Sequence, residues 1–131
     1  MDETKSVQPE HAELAKVFSS VWLFGPPVSE QLIELISHLF SPREAGLALH
    51  LPYYIPRSLN RIARRAKMPP GEAAALLDAM AKRKVIFGSQ RGYALLPLIP
   101  GMFEYLLMEG SDTPWHRRYA RLINALFATG Y

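Results

Sequence analysis

Cysteine is absent from the 131 residues of this chain, which removes several classes of chemistry at once. Without thiols the chain forms no disulfide, offers no thiolate ligand to zinc or to an iron–sulfur cluster, and holds no cysteine nucleophile. The same absence fits a reducing compartment.

Long apolar runs are also missing, because no stretch approaches the roughly 18 residues of a membrane span. Residues 17–25 are the stretch most like an export signal, yet they lack a basic start and a small-residue cleavage site. We therefore expect a cytoplasmic protein with no membrane partner.

Catalytic and metal-binding patterns are lacking as well. The four histidines lie on different predicted elements without the spacing of ligand pairs: His11, His38, His50 and His116. Ser111, Asp112 and His116 are close in sequence, but no nucleophile elbow accompanies them, and helix capping explains Asp112 and Thr113 more simply. The sequence predicts a non-catalytic protein with no metal site and no cofactor of its own.

Acidic residues are scarce in one segment, between Arg57 and Arg91. It contains nine basic residues: Arg57, Arg61, Arg64, Arg65, Lys67, Lys82, Arg83, Lys84 and Arg91. Only Glu72 and Asp78 oppose them, so the segment carries a net charge of +7 while the rest of the chain carries −4. This asymmetry indicates one positive face.

The amino-terminal part reads as three helices. Apolar residues at helical spacing predict a helix over 9–24, which "GPP" from Gly25 onward ends. Ser29 caps a second helix over 30–40. The sequence "SPRE" at 41–44 is a capping box that opens a short third helix.

The middle of the chain has the element order of a winged helix. After the extended "YYIP", Ser58 caps a helix over 59–66, and a turn leads to a longer helix over 71–84. Strands over 85–87 and 93–96 follow, joined by "GSQRG", whose glycines suit a hairpin. The order is helix, turn, helix, strand, tight loop, strand.

Two further helices are predicted at the carboxyl-terminal end, over 97–110 and from Thr113 and Pro114 onward. We thus expect a mainly α fold: a winged helix-turn-helix with a small β-hairpin wing and additional helices at both ends. The single domain comprises an amino-terminal extension (1–28), the winged-helix core (29–96) and the carboxyl-terminal helices (97–131).

Three stretches within about 32–127 carry a family resemblance: "LFSPREAGLALHLP", "IARRAKMPPGEAAALLDAMAKRKVIF" and "YALLPLIPGMFEYLLMEG". Over these residues the chain resembles a bacterial winged-helix domain found at the amino-terminal part of certain 4Fe–4S ferredoxin-type proteins of anaerobes. The resemblance implies an iron–sulfur cluster held either by a missing region beyond Tyr131 or by a partner protein. Lys67 and Lys84 depart from the pattern, since winged helices commonly have glycine at those turns.

The basic face suggests contact with nucleic acid. Arg61, Arg64 and Arg65 are expected to meet phosphates beside the groove, Lys82 and Arg83 to extend the track, and Arg91 to reach the backbone from the wing tip. The sequence thus favours a DNA-binding, transcription-regulator-like module.

The second helix of the motif indicates little sequence specificity. Its outward positions hold Glu72, Ala75, Ala79 and Lys82, whereas base edges are read by arginine, asparagine or glutamine. An alternative function therefore stays open: a protein-interaction module that docks an iron–sulfur domain or a redox partner.

The last helix carries an apolar stripe that has two interpretations. The stripe comprises Trp115, Tyr119, Leu122, Ile123 and Phe127. It forms a homodimer or partner interface in one of them. In the other, the terminal helices fold back on the amino-terminal helix and complete one core.

Overall fold

The computed structural model describes most of the chain: residues 8–20, 23, 25–98, 102–103, 106 and 112–129. Within that part it is mainly helical, with a small two-stranded antiparallel sheet. The elements are α1 (Pro9–Phe18), α2 (Glu30–Leu39), α3 (Pro42–Ala48), α4 (Leu59–Ala66), α5 (Pro70–Lys82), β1 (Phe87–Ser89), β2 (Gly92–Ala94) and α6 (Pro114–Phe127). No helix in the described residues has both the length and the apolar character needed to cross a bilayer.

The helix starts follow the predicted caps. The Ser29 hydroxyl accepts a hydrogen bond from the Leu32 amide at 3.1 Å. At α3 the capping box is complete, because the Glu44 amide donates to the Ser41 hydroxyl and the Ser41 amide donates to the Glu44 carboxylate. Ser58 caps α4 and Thr113 caps α6 in the same way. These local predictions are confirmed.

The first helix is shorter than predicted. It ends at Phe18 rather than at 24, and positions 21, 22 and 24 lie outside the described residues. The chain turns there because the Gly25 backbone lies against the end of α1, where a Cβ atom would overlap the Phe18 carbonyl. Leu23 is fully buried beside this turn. A glycine at position 25 therefore permits a backbone approach that no other residue allows.

The hairpin is present, but its predicted bounds are wrong. β1 and β2 pair Phe87 with Ala94, Gly88 with Tyr93 and Ser89 with Gly92, leaving only a two-residue turn. Val85 does not join the strand, because its amide donates to the Met80 carbonyl and continues the turn that ends α5.

A third extended segment lies along β2. The Leu95 amide donates to the Pro52 carbonyl at 2.8 Å, and the Tyr54 amide donates to the Leu95 carbonyl at 3.1 Å. Further along, Arg57 and Tyr93 exchange both backbone hydrogen bonds, at 3.0 and 2.9 Å. The segment 52–57 thus fixes the start of α4 beside the hairpin.

One continuous core connects the helices. α1 packs on α2 and α3, α6 packs on α2, and α5 packs on α3, α4 and β1. The largest buried side chains include Phe18 and Phe40, whose ring centroids lie 5.9 Å apart. The helix predicted over 97–110 falls largely outside the described residues.

Candidate nucleic-acid interface

α4 presents arginine on its solvent side because its apolar residues take the opposite side. Ile62 and Ala63 are buried, whereas Arg61, Arg64 and Arg65 are exposed. Residues three or four apart in a helix are neighbours, so Arg61 lies next to both Arg64 and Arg65 on the solvent side.

Arg57 joins Arg61 and Arg65 in one group. Its Nη1 atom donates a hydrogen bond of 2.8 Å to the His50 carbonyl, which holds the side chain beside α3. Partial burial and the charges of Arg65 and Arg61 lower the pKa of Arg57. Burial, Arg65 and Arg57 also lower the pKa of His50. Arg57, Arg61 and Arg65 are therefore mutually repelling neighbours, and we call them the arginine cluster.

No carboxylate neutralises the arginine cluster within the described part of the chain. The ion pairs there involve other cations: Lys16 with Glu13, Arg43 with Glu72, Arg83 with Glu44, Arg117 with Asp112 and Arg118 with Glu34. Unneutralised like charges favour an external anion, and a guanidinium matches the two oxygens of a phosphate in geometry.

Both lysines at the glycine-like turns adopt left-handed backbone dihedrals. Lys67 ends α4 with φ 55° and ψ 46°, and Lys84 follows α5 with φ 68°. The turns thus keep the shape that favours glycine, at a cost of about 1 kcal/mol for each side chain. Lys67 is exposed and adds positive charge at the end of α4.

Arg83 does not belong with the exposed cations. Its guanidinium donates to both carboxylate oxygens of Glu44, at 2.7 and 3.0 Å, and to the Leu39 carbonyl at 2.8 Å. A side chain engaged in this way is a structural link between helices. The prediction that Arg83 extends a phosphate track therefore finds no support in the geometry.

Lys82 and Lys84 line a cleft between α5 and the hairpin. The cleft has a volume of about 320 Å³. Asp78 lines it too and accepts a hydrogen bond of 2.6 Å from the Tyr93 hydroxyl, which raises the pKa of Tyr93 to about 12, helped by burial and by the Asp78 charge. These two lysines therefore share their cleft with a carboxylate, unlike the arginine cluster. Arg91 is exposed in the hairpin turn.

The outward face of α5 carries little that could read a base. Ala75 is exposed and Ala79 half-buried, as predicted from the burial of Leu77. Glu72, the predicted acceptor for a cytosine amine, is ion-paired with Arg43. Sequence reasoning missed Arg43, because it lies on α3 and reaches Glu72 only in the folded chain.

The apolar stripe of α6 is mostly internal. Tyr119, Leu122 and Ile123 are buried where α6 packs on α2. Trp115 stacks on His38, with ring centroids 4.8 Å apart, and Phe127 remains 37% exposed. The stripe therefore completes the chain's own core. It packs on α2 rather than on the amino-terminal helix, and Trp115 and Phe127 keep part of their surface exposed.

An apolar tip beside the basic face was not identified from the sequence. Tyr53, Tyr54 and Ile55 are exposed by 36%, 44% and 76%. The pattern "YYIP" predicts only extended backbone, and no local signal in it distinguishes an exposed turn from a buried strand.

Among the described residues, no three side chains of histidine, aspartate or glutamate gather into a group that could hold a metal ion. Comparison of the chain with protein-family models, curated proteins and solved structures finds no match.

Proposed function

We propose that this chain is a non-catalytic winged-helix module that binds duplex DNA mainly through the phosphate backbone. The element order supports the fold part of the proposal. α3, the extended segment 52–57, α4, α5, β1 and β2 follow one another, and 52–57 forms hydrogen bonds with the β2 side of the hairpin. In a winged helix the second helix of the helix-turn-helix enters the major groove, and here that helix is α5.

The arginine cluster is the observation that carries the function. Arg57 is held at the His50 carbonyl, and its pKa is lowered by burial and by the neighbouring charges of Arg65 and Arg61. None of the ion pairs among the described residues includes one of these three arginines. A duplex presents phosphates at regular spacing, and displaced counterions make such contacts favourable. Arg64 and Lys67 supply further positive charge on the same helix.

Sequence discrimination is expected to be weak. The first turns of α5 expose the Ala75 methyl group, and the Glu72 carboxylate is already engaged by Arg43. Further along, the exposed Asp78 carboxylate accepts a hydrogen bond from Tyr93. Phosphate contacts position a protein on DNA but carry no sequence information directly. A module of this kind binds many DNA sequences with similar affinity. In transcription regulation, its choice of DNA site depends on something other than base contacts from α5.

The direct test is a fluorescence anisotropy titration with a duplex of mixed sequence. Changing both Arg61 and Arg65 to alanine is expected to weaken binding at least about tenfold, because two phosphate contacts are lost. The matched control changes both Arg117 and Arg118 on α6 to alanine. This variant also loses two exposed positive charges, but these two arginines are ion-paired, with Asp112 and Glu34. If the two double variants lose the same affinity for the duplex, the loss reflects net charge alone and not the arginine cluster.

A second candidate function rests on the small residues of α5. Gly71 and Ala75 are exposed, and nothing lies within 4 Å of a Cβ atom built at Gly71, so another helix could approach closely. Such a surface suits a module that docks an iron–sulfur domain or a redox partner, as the resemblance to ferredoxin-type proteins implies. If the chain binds no duplex even at low salt, the protein-docking function is favoured over DNA binding.

A further inference from the structure

The segment 52–57 does not pair with the β2 side of the hairpin as one continuous ladder. Its contacts are fixed at Leu95 by Pro52 and Tyr54, and at Tyr93 by Arg57. The bridge between Tyr53 and Leu95 is parallel, whereas the bridge between Arg57 and Tyr93 is antiparallel. The three residues 54–56 therefore form a turn between two bridges of opposite sense.

This turn places Ile55 at the surface. Tyr54 has φ 67°, in the left-handed region that aromatic residues rarely adopt, and the Ile55 amide donates to the Tyr53 carbonyl at 2.6 Å. This closes a tight three-residue turn of the strained γ type. Pro56 follows and has no amide hydrogen for the ladder. Ile55 is left 76% exposed at the tip.

The tip is the main apolar feature of the described surface. Five large apolar residues are exposed on the described surface as a whole, and three of them are consecutive in this turn: Tyr53, Tyr54 and Ile55. Prolines at both sides, Pro52 and Pro56, restrict the backbone. A rigid apolar projection loses little conformational entropy when it inserts into a partner.

The surroundings of the tip are cationic. Arg57 lies two residues beyond Ile55, about 7 Å along an extended chain, and the rest of the arginine cluster lies beside Arg57. No acidic residue occurs between Tyr53 and Arg65. The partner that suits this combination is a polyanion with an apolar interior. A DNA duplex fits this description, because its stacked bases lie between two rows of phosphates. An anionic bilayer shares the charge, but stable membrane anchors bury larger apolar areas than three side chains provide.

We propose that Ile55, supported by Tyr54, inserts as a wedge between base pairs while the arginine cluster holds the adjacent phosphates. The inference rests on the proposed duplex binding and deepens it. Apolar wedges such as isoleucine partly unstack a base step and kink the duplex. Selectivity then comes from how easily a site deforms, which compensates for an α5 face that cannot read base edges.

The test uses two end-labelled duplexes of about 30 base pairs, one fully paired and one with a single central T·T mismatch. Unstacking is cheaper at a mismatch, so the unaltered chain is expected to bind that duplex about tenfold tighter and to raise energy transfer between the ends of both. For Ile55→Ser and for Ile55→Ala, the affinities for the two duplexes are expected to differ by no more than about twofold. Neither variant is expected to raise the energy transfer between the duplex ends. Because Ile55 is exposed, both variants should fold, which circular dichroism checks.

The control is Val28→Ser, which removes another exposed apolar side chain far from position 55 in the sequence and should behave like the unaltered chain. Salt-dependent binding without mismatch preference or bending overturns the wedge and leaves the phosphate contacts standing. Absence of any duplex binding overturns both proposals. If Ile55→Ser abolishes binding to phosphatidylserine vesicles but leaves mismatch preference intact, the tip is a membrane contact and the wedge is wrong.

Discussion

The Arg83 guanidinium and the Glu44 carboxylate form a two-point ion pair, with distances of 2.7 and 3.0 Å, that joins the end of α5 to the start of α3. The Glu44 side chain is only 10% exposed and also accepts the Ser41 amide in the capping box. The Glu44 carboxylate therefore caps the start of α3 and also holds the end of α5 beside it. The same pair withdraws Arg83 from the basic surface.

Replacing Arg83 with methionine should destabilise the fold by about 2 kcal/mol, because the change leaves a largely buried carboxylate without its cation. The value lies below that for a fully buried pair, since the Arg83 side chain is 30% exposed. Urea unfolding measures it, with Lys82→Met as the exposed neighbour expected to change stability by no more than about 0.5 kcal/mol. Equal effects of the two substitutions would show that the ion pair contributes little.

Lys67→Gly should stabilise the chain and weaken duplex binding at once. Glycine relieves about 1 kcal/mol of strain at the left-handed end of α4, while loss of the ammonium group removes a phosphate contact. Lys67→Asn, which tolerates the same dihedrals without the charge, should lose affinity similarly. Thermal unfolding and anisotropy measure the two effects. Stabilisation without loss of affinity would remove Lys67 from the interface.

Two glycines should respond oppositely to alanine. Gly92 has φ 134°, and a Cβ atom there would overlap the Arg57 carbonyl, so Gly92→Ala should cost more than about 2 kcal/mol and disturb the extended segment beside β2. Gly71 lies in α5 with open space around it, so Gly71→Ala should stabilise by about 0.5–1 kcal/mol. Chemical denaturation of both variants provides the comparison. A tolerated alanine at 92 would contradict the described pairing.

Stability should fall as pH is lowered through the range of histidine titration. Burial lowers the pKa of His38 below 6.5 and outweighs the raising effect of the hydrogen bond with the Trp115 carbonyl, and the charges of nearby arginines lower it further. The unfolded chain then takes up a proton more readily than the folded one, so this stabilisation is complete above about pH 6.5 and is lost below it.

His38→Gln should flatten the decline in the free energy of unfolding between about pH 7.5 and 5.5, because position 38 no longer takes up a proton. His50, whose pKa is also lowered, should retain part of the slope. Changing both histidines isolates their joint contribution. An unchanged slope in the double variant would assign the decline to other groups.

The sequence was sufficient wherever structure depends on near neighbours. Ser29, Ser41, Ser58 and Thr113 were identified as caps because a short polar side chain bonds to an amide three residues along the same chain. The hairpin and the exposed arginines of α4 followed from glycine chemistry and helical periodicity in the same way.

The rest depends on distant parts of the chain meeting. Glu44 and Arg83 are 39 residues apart, and nothing local to either predicts their pairing. The exposure of Ile55 follows from the turn between the bridges of Tyr53 and Arg57 to the hairpin, and the end of α1 from the close approach of Gly25. The choice of α2 as the partner of α6 likewise became visible only in the folded chain.

The central claim is that the arginine cluster binds phosphates, and the salt dependence of duplex affinity tests it most directly. Three phosphate contacts give a slope of about −3 in a plot of log affinity against log salt, and further contacts make it steeper. Changing Arg61 and Arg65 to alanine should make the slope shallower by about 2, while the Arg117 and Arg118 double variant should parallel the unaltered chain. A slope near zero for the unaltered chain, or an unchanged slope after loss of Arg61 and Arg65, would contradict the account.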